Sequence, residues 1–415
     1  MKADGHPLID VFWAALRAVD PERCVGHALR GWHPPSGGRL LLAGVGKAAT
    51  AMARGAAATP FESGVLITKD GHRLGYAHPR VAVFEAAHPV PDRRAVEATG
   101  TLLELLDRAG RGDQVLFLLS GGGSALLELP AEGLSLDDLK VTNRSLLACG
   151  AAIEEVNIVR KHLSQVKGGR LARRIAPAMG LTLVLSDVLG NPLDAIASGP
   201  TVPDPTTFEA ARQIVERYRV ELPARVRAHL EAGADETPKP GDPVFAGMEH
   251  AVIADHQTMA RAALERSLEL GWPTVLEDVG LVGEAREVGR RLARAGSGGC
   301  RIYSGETTVT VTGAGRGGRC QELALAFAVE CEGRPGVTLL AAASDGTDGP
   351  TDAAGALVDG QTCVRARRKG LDPGEYLRNN DSYAFFERLG EQFVTGPTGT
   401  NTNDLILLKI EEPWT

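Results

Sequence analysis

The chain is poor in aromatic residues, which make up 5% of its 415 positions, and poor in lysine, with nine against thirty-six arginines. Its six cysteines (Cys24, Cys149, Cys300, Cys320, Cys331, Cys363) show no CxxC or other paired spacing, which excludes a disulfide framework or a zinc ribbon and suits a reducing, cytoplasmic setting. No apolar run reaches the length of about 18 residues that a membrane helix needs, and no secretory leader is recognisable. There is no excess of positive charge either: the formal net charge is -7. The basic runs Arg173-Arg174 and Arg365 to Lys369 are short enough to be solvated helix faces, so nucleic acid is not an expected partner. A GxxxxGK[ST] phosphate loop is absent as well.

What remains is an ordinary globular composition, 43% hydrophobic and 23% charged, in a chain longer than a single core usually grows. Helical pattern at Pro7 to Val19 is followed by short apolar segments at Arg39 to Ala43, Ser63 to Thr68, Val81 to Ala86, Gln114 to Leu119 and Leu181 to Leu185. Nearly continuous apolar strands of this kind read as a parallel sheet covered on both faces. From Leu222 to Val244 the sequence turns polar and rich in proline and glycine, as an interdomain connection would. Beyond it, Ala251 to Ala254, Thr274 to Glu277, Arg301 to Tyr303, Thr307 to Thr312 and Val337 to Ala342 read as strands of a second unit. The expected architecture is α/β in two domains, a Rossmann-like doubly wound parallel sheet and a mixed-sheet α/β domain, with the active site in the cleft between them.

Chemistry concentrates in a few turns. The strand Val115 to Leu119 runs into Ser120-Gly121-Gly122-Gly123-Ser124, where glycines let a backbone approach an anion or simply make a tight packing turn. Gly44-Val45-Gly46-Lys47 follows another strand, with Ala49 where a dinucleotide fingerprint has its third glycine. Asp187 ends a third strand, where α/β ligand sites lie, and can hold Mg²⁺ or take a hydroxyl proton. Asn157 to Leu163 and Lys167-Gly168-Gly169-Arg170 bring four cations close together, which suits a polyanion or a solvated helix face. Further on, Ser304-Gly305-Glu306 precedes Gly317-Gly318-Arg319, and Ser344 to Asp352 sets three acids among glycines. Arg319 is suited to clamping a carboxylate or phosphoryl group, and the acids to a hard cation. The tail Thr395 to Asp404 adds one more polar turn before a final strand, Leu405 to Ile410.

In order along the chain, these clusters, together with His88-Pro-Val-Pro-Asp92, Ala197-Ser-Gly-Pro-Thr201, Asp345-Gly-Thr-Asp-Gly349 and Gly396-Pro-Thr-Gly-Thr400, resemble the class II glycerate kinases. These are glycerate 2-kinases with a large N-terminal domain and a C-terminal MOFRL domain. The resemblance covers nearly the whole length. It departs at Asn191, where an acid is common, and at Ala95, where serine is usual. It implies an N-terminal Rossmann-like glycerate-kinase domain over 1–235 and a MOFRL domain over 245–415. It also implies an ATP-dependent kinase that transfers the γ-phosphoryl group to the C2 hydroxyl of D-glycerate with Mg²⁺. By the same resemblance Lys47 and Arg319 are catalytic cations, and Asp187, Glu306 and Asp345 are acidic partners that would hold the metal, Asp187 being also the expected base. Ser120, Gly121, Gly122, Gly123, Ser124 and Lys167 are expected at the cofactor. Partners would then be D-glycerate and a nucleotide, without nucleic acid or membrane, and a homo-oligomer is compatible with this reading. Two rivals are an NAD(P)H-dependent hydroxypyruvate reductase using Gly44 to Lys47, and a non-catalytic sugar-phosphate-binding protein.

Overall fold

The computed structural model describes residues 5–34, 37–296 and 298–411. The chain divides into two compact units, Pro21–Ile253 and a second formed by Met1–Asp20 with Ala254–Thr415.

In the first unit, strands β1 (Leu40–Val45), β2 (Ser63–Lys69), β3 (Val81–Ala86), β4 (Gln114–Ser120), β5 (Met179–Leu185) and β6 (Met248–Ala254) form one sheet in the order β3-β2-β1-β4-β5-β6. The ladders joining β1 to β5 are all parallel. β1 and β4 are buried at every position, which is why their sequences are apolar without alternation. Leu102, Leu106, Val115, Phe117, Leu171 and Ile175 belong to the core on one side of this sheet.

β6 corrects one expectation. The segment at Ala251 to Ala254 joins the first sheet rather than the second, and the Gly180 amide donates to the Gly247 carbonyl at 2.9 Å as the strand begins. The polar stretch before it is therefore not a boundary. Within it Asp235 pairs with Arg170 and Arg173, and Glu236 accepts from His162 Nε2 at 2.9 Å and from the Phe208 amide at 3.0 Å. Polar composition here marks a turn held by ion pairs.

The second unit contains β7 (Thr274–Glu284), β8 (Gly299–Thr308), β9 (Val337–Ala343), β10 (Gly355–Asp359), β11 (Gln392–Phe393) and β12 (Asp404–Ile410), in the order β11-β10-β9-β12-β8-β7. Only β7 and β8 pair in parallel; the other ladders are antiparallel. The segments expected at Arg301 to Tyr303 and Thr307 to Thr312 form a single strand that ends at Thr308. The helix Pro7–Ala18, expected with the N-terminal domain, belongs to this unit. Asp10 accepts from Arg266 Nε at 2.9 Å, and the Phe12 ring meets Phe393 edge-on at 5.2 Å. Among the described residues no helix is long and apolar enough to cross a membrane.

Candidate active site

β1 and β4 are adjacent and in register, with Val45 opposite Leu119, so the turns leaving their carboxyl ends meet. At Gly46 φ is +126°, and a Cβ there would lie 2.2 Å from Ser120 Oγ; only glycine allows this approach. Ser120 Oγ accepts from the Ala48 amide at 3.0 Å, and the Gly121 carbonyl accepts from the Lys47 amide at 2.9 Å. The two glycine-rich turns thus clamp one another, and the helix that follows starts at Ala49. Ser120, expected at the cofactor, is buried and serves this clamp. The Lys47 side chain is left beside the loop, its Cγ 3.3 Å and the His88 ring 3.2 Å from the point where a Cβ on Gly122 would stand.

Gly121, Gly122, Gly123 and Ser124 line a cavity of about 640 Å³ that also receives His88, Asp187 and Arg160. Two helices build its far wall. In Leu136–Ala148, Leu139, Thr142 and Leu146 are buried, while Lys140, Asn143, Arg144 and Leu147 line the cavity at helical spacing. In Ile153–His162, Val156 and Val159 are buried, and Ile153, Asn157 and Arg160 line the cavity. Asp187 reaches the wall from the turn after β5, where Ser186 Oγ bonds both the amide and the carbonyl of Val188 at 3.2 Å.

Other members of the basic clusters are structural. Lys167, expected to touch the cofactor, is 0% exposed; it pairs with Glu128 at 2.7 Å and donates to the Leu127 carbonyl at 2.9 Å. Lys161 lies between Asp204 and Asp194 at 3.3 and 3.5 Å. The Gly168 and Gly169 amides donate to the Ser198 and Gly199 carbonyls at 2.9 and 2.7 Å. Ala197, Ser198 and Gly199 all have positive φ, and this backbone clasp holds them there. Their position fixes the glycine loop from behind, since Ser198 Oγ bonds Ser124 Oγ at 3.1 Å.

In the second unit Arg319 opens the helix Arg319–Glu330. Its Nε and Nη2 reach Asp404 at 2.5 and 2.9 Å, and Nη1 reaches Glu306 at 2.8 Å. Burial works against this guanidinium's charge, but Asp404 and Glu306 outweigh it and its pKa stands above the ordinary value. Asp404 is 1% exposed, although in the sequence it is only the end of a polar turn. Its signal was position: an acid on the first residue of a buried strand needs a cation. Glu306 also accepts from Asn403 Nδ2 at 3.2 Å.

The acidic loop after β9 divides in two. Asp348 is buried and accepts from the Cys320 and Gln321 amides at 3.0 and 2.8 Å, capping the Arg319 helix from outside. Gly318 makes room for it: a Cβ there would lie 2.3 Å from the Asp348 carboxyl carbon. Burial and the charge of Asp404 push the Asp348 carboxyl up to about 7, against the amides that favour its ionised form. The folded state therefore keeps a proton that the unfolded chain loses near the ordinary aspartate value. Stability drawn from this group falls as pH rises from about 4 to about 7. The stability of the native chain relative to Asp348→Asn is expected to decline between pH 5 and pH 8, as followed by thermal melting; a constant difference would show that Asp348 is ionised throughout.

Asp345 bonds the Thr347 amide through Oδ1 at 3.0 Å. Among the described residues no group of three or more His, Cys, Asp or Glu is arranged to hold a metal. Within the second unit Glu306 is committed to Arg319 and Asn403. Mg²⁺ usually takes only one or two protein carboxylates beside phosphate oxygens and water. Asp187, in the cavity lining, is one carboxylate of that kind.

Two family models match the chain, one described as a domain of unknown function (DUF4147) over residues 8–231 and the other as the MOFRL family over residues 299–404. A D-glycerate 2-kinase of Thermotoga maritima is 44% identical over 96% of each chain. The chain belongs to the class II glycerate kinases. A crystal structure of glycerate kinase from Thermotoga maritima matches the fold with a TM-score of 0.89 at 43% identity, covering 97% of this chain and 98% of that one. An Agrobacterium vitis relative provisionally named hydroxypyruvate reductase is 42% identical over 95% of this chain and 92% of its own.

Proposed function

We propose that the chain is a D-glycerate 2-kinase, transferring the γ-phosphoryl group of ATP to the C2 hydroxyl of D-glycerate to give 2-phosphoglycerate and ADP. The 44% identity to a D-glycerate 2-kinase over 96% of both chains carries this reading. The charged side chains of this protein suit it. Phosphoryl transfer asks a protein for cations around the equatorial oxygens and for an acceptor held in line, with little covalent chemistry. Lys47 and Arg319 supply the cations. Asp187, in the wall of the cavity, takes the proton of the C2 hydroxyl as the bond to phosphorus forms. Gly121 to Ser124 line the same cavity, and a glycine-rich turn of this kind receives the anionic groups of a reactant. Mg²⁺, when bound, neutralises phosphate charge, and Asp187 and Asp345 are the carboxylates offered to it. The six cysteines are all free thiols, which agrees with a cytoplasmic enzyme.

The reductase name borne by a relative calls for its own test. In a dinucleotide fold the glycine of the first turn lets pyrophosphate approach; here the space at Gly46 is taken by Ser120. The purified protein is expected to form ADP with D-glycerate and to leave NADH unoxidised with hydroxypyruvate. NADH oxidation without ADP formation would reverse the assignment.

A further inference from the structure

We propose that Arg160 is an oxyanion anchor for a reactant bound in the cavity, held in place by Asn143 and Asn157. The inference rests on the kinase reading only for the identity of the reactants. Arg160 Nε donates to Asn143 Oδ1 at 2.9 Å and Nη1 to Asn157 Oδ1 at 3.4 Å. Both partners are uncharged carboxamides, one from each helix of the wall, so they orient the guanidinium without neutralising it. Its neighbours in the next basic run behave differently: Arg170 and Arg173 pair with Asp235, and Arg174 with Asp107.

A half-buried guanidinium that has no carboxylate partner among the described residues is costly to keep. Burial draws the pKa of Arg160 below the ordinary arginine value, and Glu128 counters this only partly. Glu128 is already occupied, by Lys167 at 2.7 Å and by Ser164 Oγ at 3.2 Å. Beside Arg160, Lys140 and Arg144 line the same wall; Arg144 Nε donates to the Lys140 carbonyl at 3.3 Å. The cavity lining thus carries three cations against two carboxylates, Glu128 and Asp187, and among the described residues no salt bridge joins Lys140, Arg144 or Arg160 to an acid. Two of the five guanidinium N–H groups are used, and the rest can meet two anionic oxygens in the paired geometry that arginine forms with carboxylates and phosphates. Both kinds of oxyanion are at hand in the proposed reaction, the carboxylate of the acid and the phosphates of the nucleotide.

The test uses Arg160→Gln and Asn143→Asp in the full chain, the second placing a carboxylate on the guanidinium while keeping its size. KM is measured for D-glycerate at saturating ATP and for ATP at saturating D-glycerate. One of the two is expected to rise about 10²-fold in both variants, with kcat nearly unchanged, as for an interaction made equally in ground and transition states. A rise confined to D-glycerate assigns the carboxylate, and one confined to ATP assigns the phosphate. Both constants within about 3-fold of the native enzyme, or an equal loss on both sides with lowered melting temperature, would overturn the anchor. If the native chain does not turn over, the kinase reading fails separately. The anchor is then tested by thermal melting with D-glycerate or inorganic pyrophosphate, which is expected to stabilise the native chain and not Arg160→Gln; equal stabilisation of both, or of neither, would overturn it.

Discussion

Replacing Arg319 with Ala is expected to lower kcat for glycerate phosphorylation by about 10² to 10³-fold, the scale of one preorganised donor to developing charge. The same change has a structural cost, because Asp404 is 1% exposed and would lose its cation. Removing one member of a buried ion pair costs about 3 to 5 kcal/mol. With the Arg319 side chain 31% exposed, about 2 to 3 kcal/mol is a fairer figure after screening. The double variant Arg319→Ala with Asp404→Asn separates the two effects. It removes the orphaned carboxylate, so melting temperature should recover while kcat stays low. Near-normal turnover in either variant would remove Arg319 from the mechanism and leave it a strut between β8, β12 and its own helix.

Gly46→Ala is expected to destabilise the first unit by about 3 to 5 kcal/mol, adding a strained backbone to an overpacked contact. The strain follows from φ at +126°, and the overlap from a Cβ that would stand 2.2 Å from Ser120 Oγ and 2.5 Å from its carbonyl oxygen. Neither neighbour can retreat cheaply. Ser120 is the last residue of β4, and its hydroxyl holds the Ala48 amide. Because the Lys47 amide is bonded to Gly121, a shift here also displaces Lys47 from the glycine loop. Denaturant unfolding followed through the first unit measures the effect. A midpoint matching the native chain would mean that the clamp between the two turns is looser than its geometry implies.

Much of the fold was legible because burial writes itself into composition. Five parallel strands were readable from apolar runs at Leu40, Ser63, Val81, Gln114 and Leu181. β6 is not readable in the same way, because its pattern of partly exposed residues suits an edge strand of either sheet. The compact units divide at Ile253 rather than in the polar stretch before it for a related reason: Asp235 and Glu236 make a segment polar whether it links domains or pins a turn with ion pairs.

At the candidate site, motifs point to turns more readily than to the side chains that fill them. Glycine runs at Gly46, Gly122 and Gly318 pointed to close approaches, but which atom comes close depends on tertiary packing. At Gly46 and Gly318 it is Ser120 and Asp348, not a ligand. The basic run at Arg160 to Arg170 was readable as charge, yet Lys161 and Lys167 turn inward to buried acids while Arg160 faces the cavity. That division rests on helix phase relative to Val156 and Val159, which a motif does not contain. Asp404 was hidden for the opposite reason: a single acid before an apolar strand carries no motif at all.

The most direct measurement is a coupled ATP-consumption assay with D-glycerate and Mg²⁺, in which the product is passed to enolase with and without phosphoglycerate mutase. A signal with enolase alone is expected of a glycerate 2-kinase, since it reports 2-phosphoglycerate. A signal that appears only with mutase present would place the phosphoryl group on the C3 hydroxyl and contradict the assigned chemistry, and an absence of ADP would contradict the kinase itself.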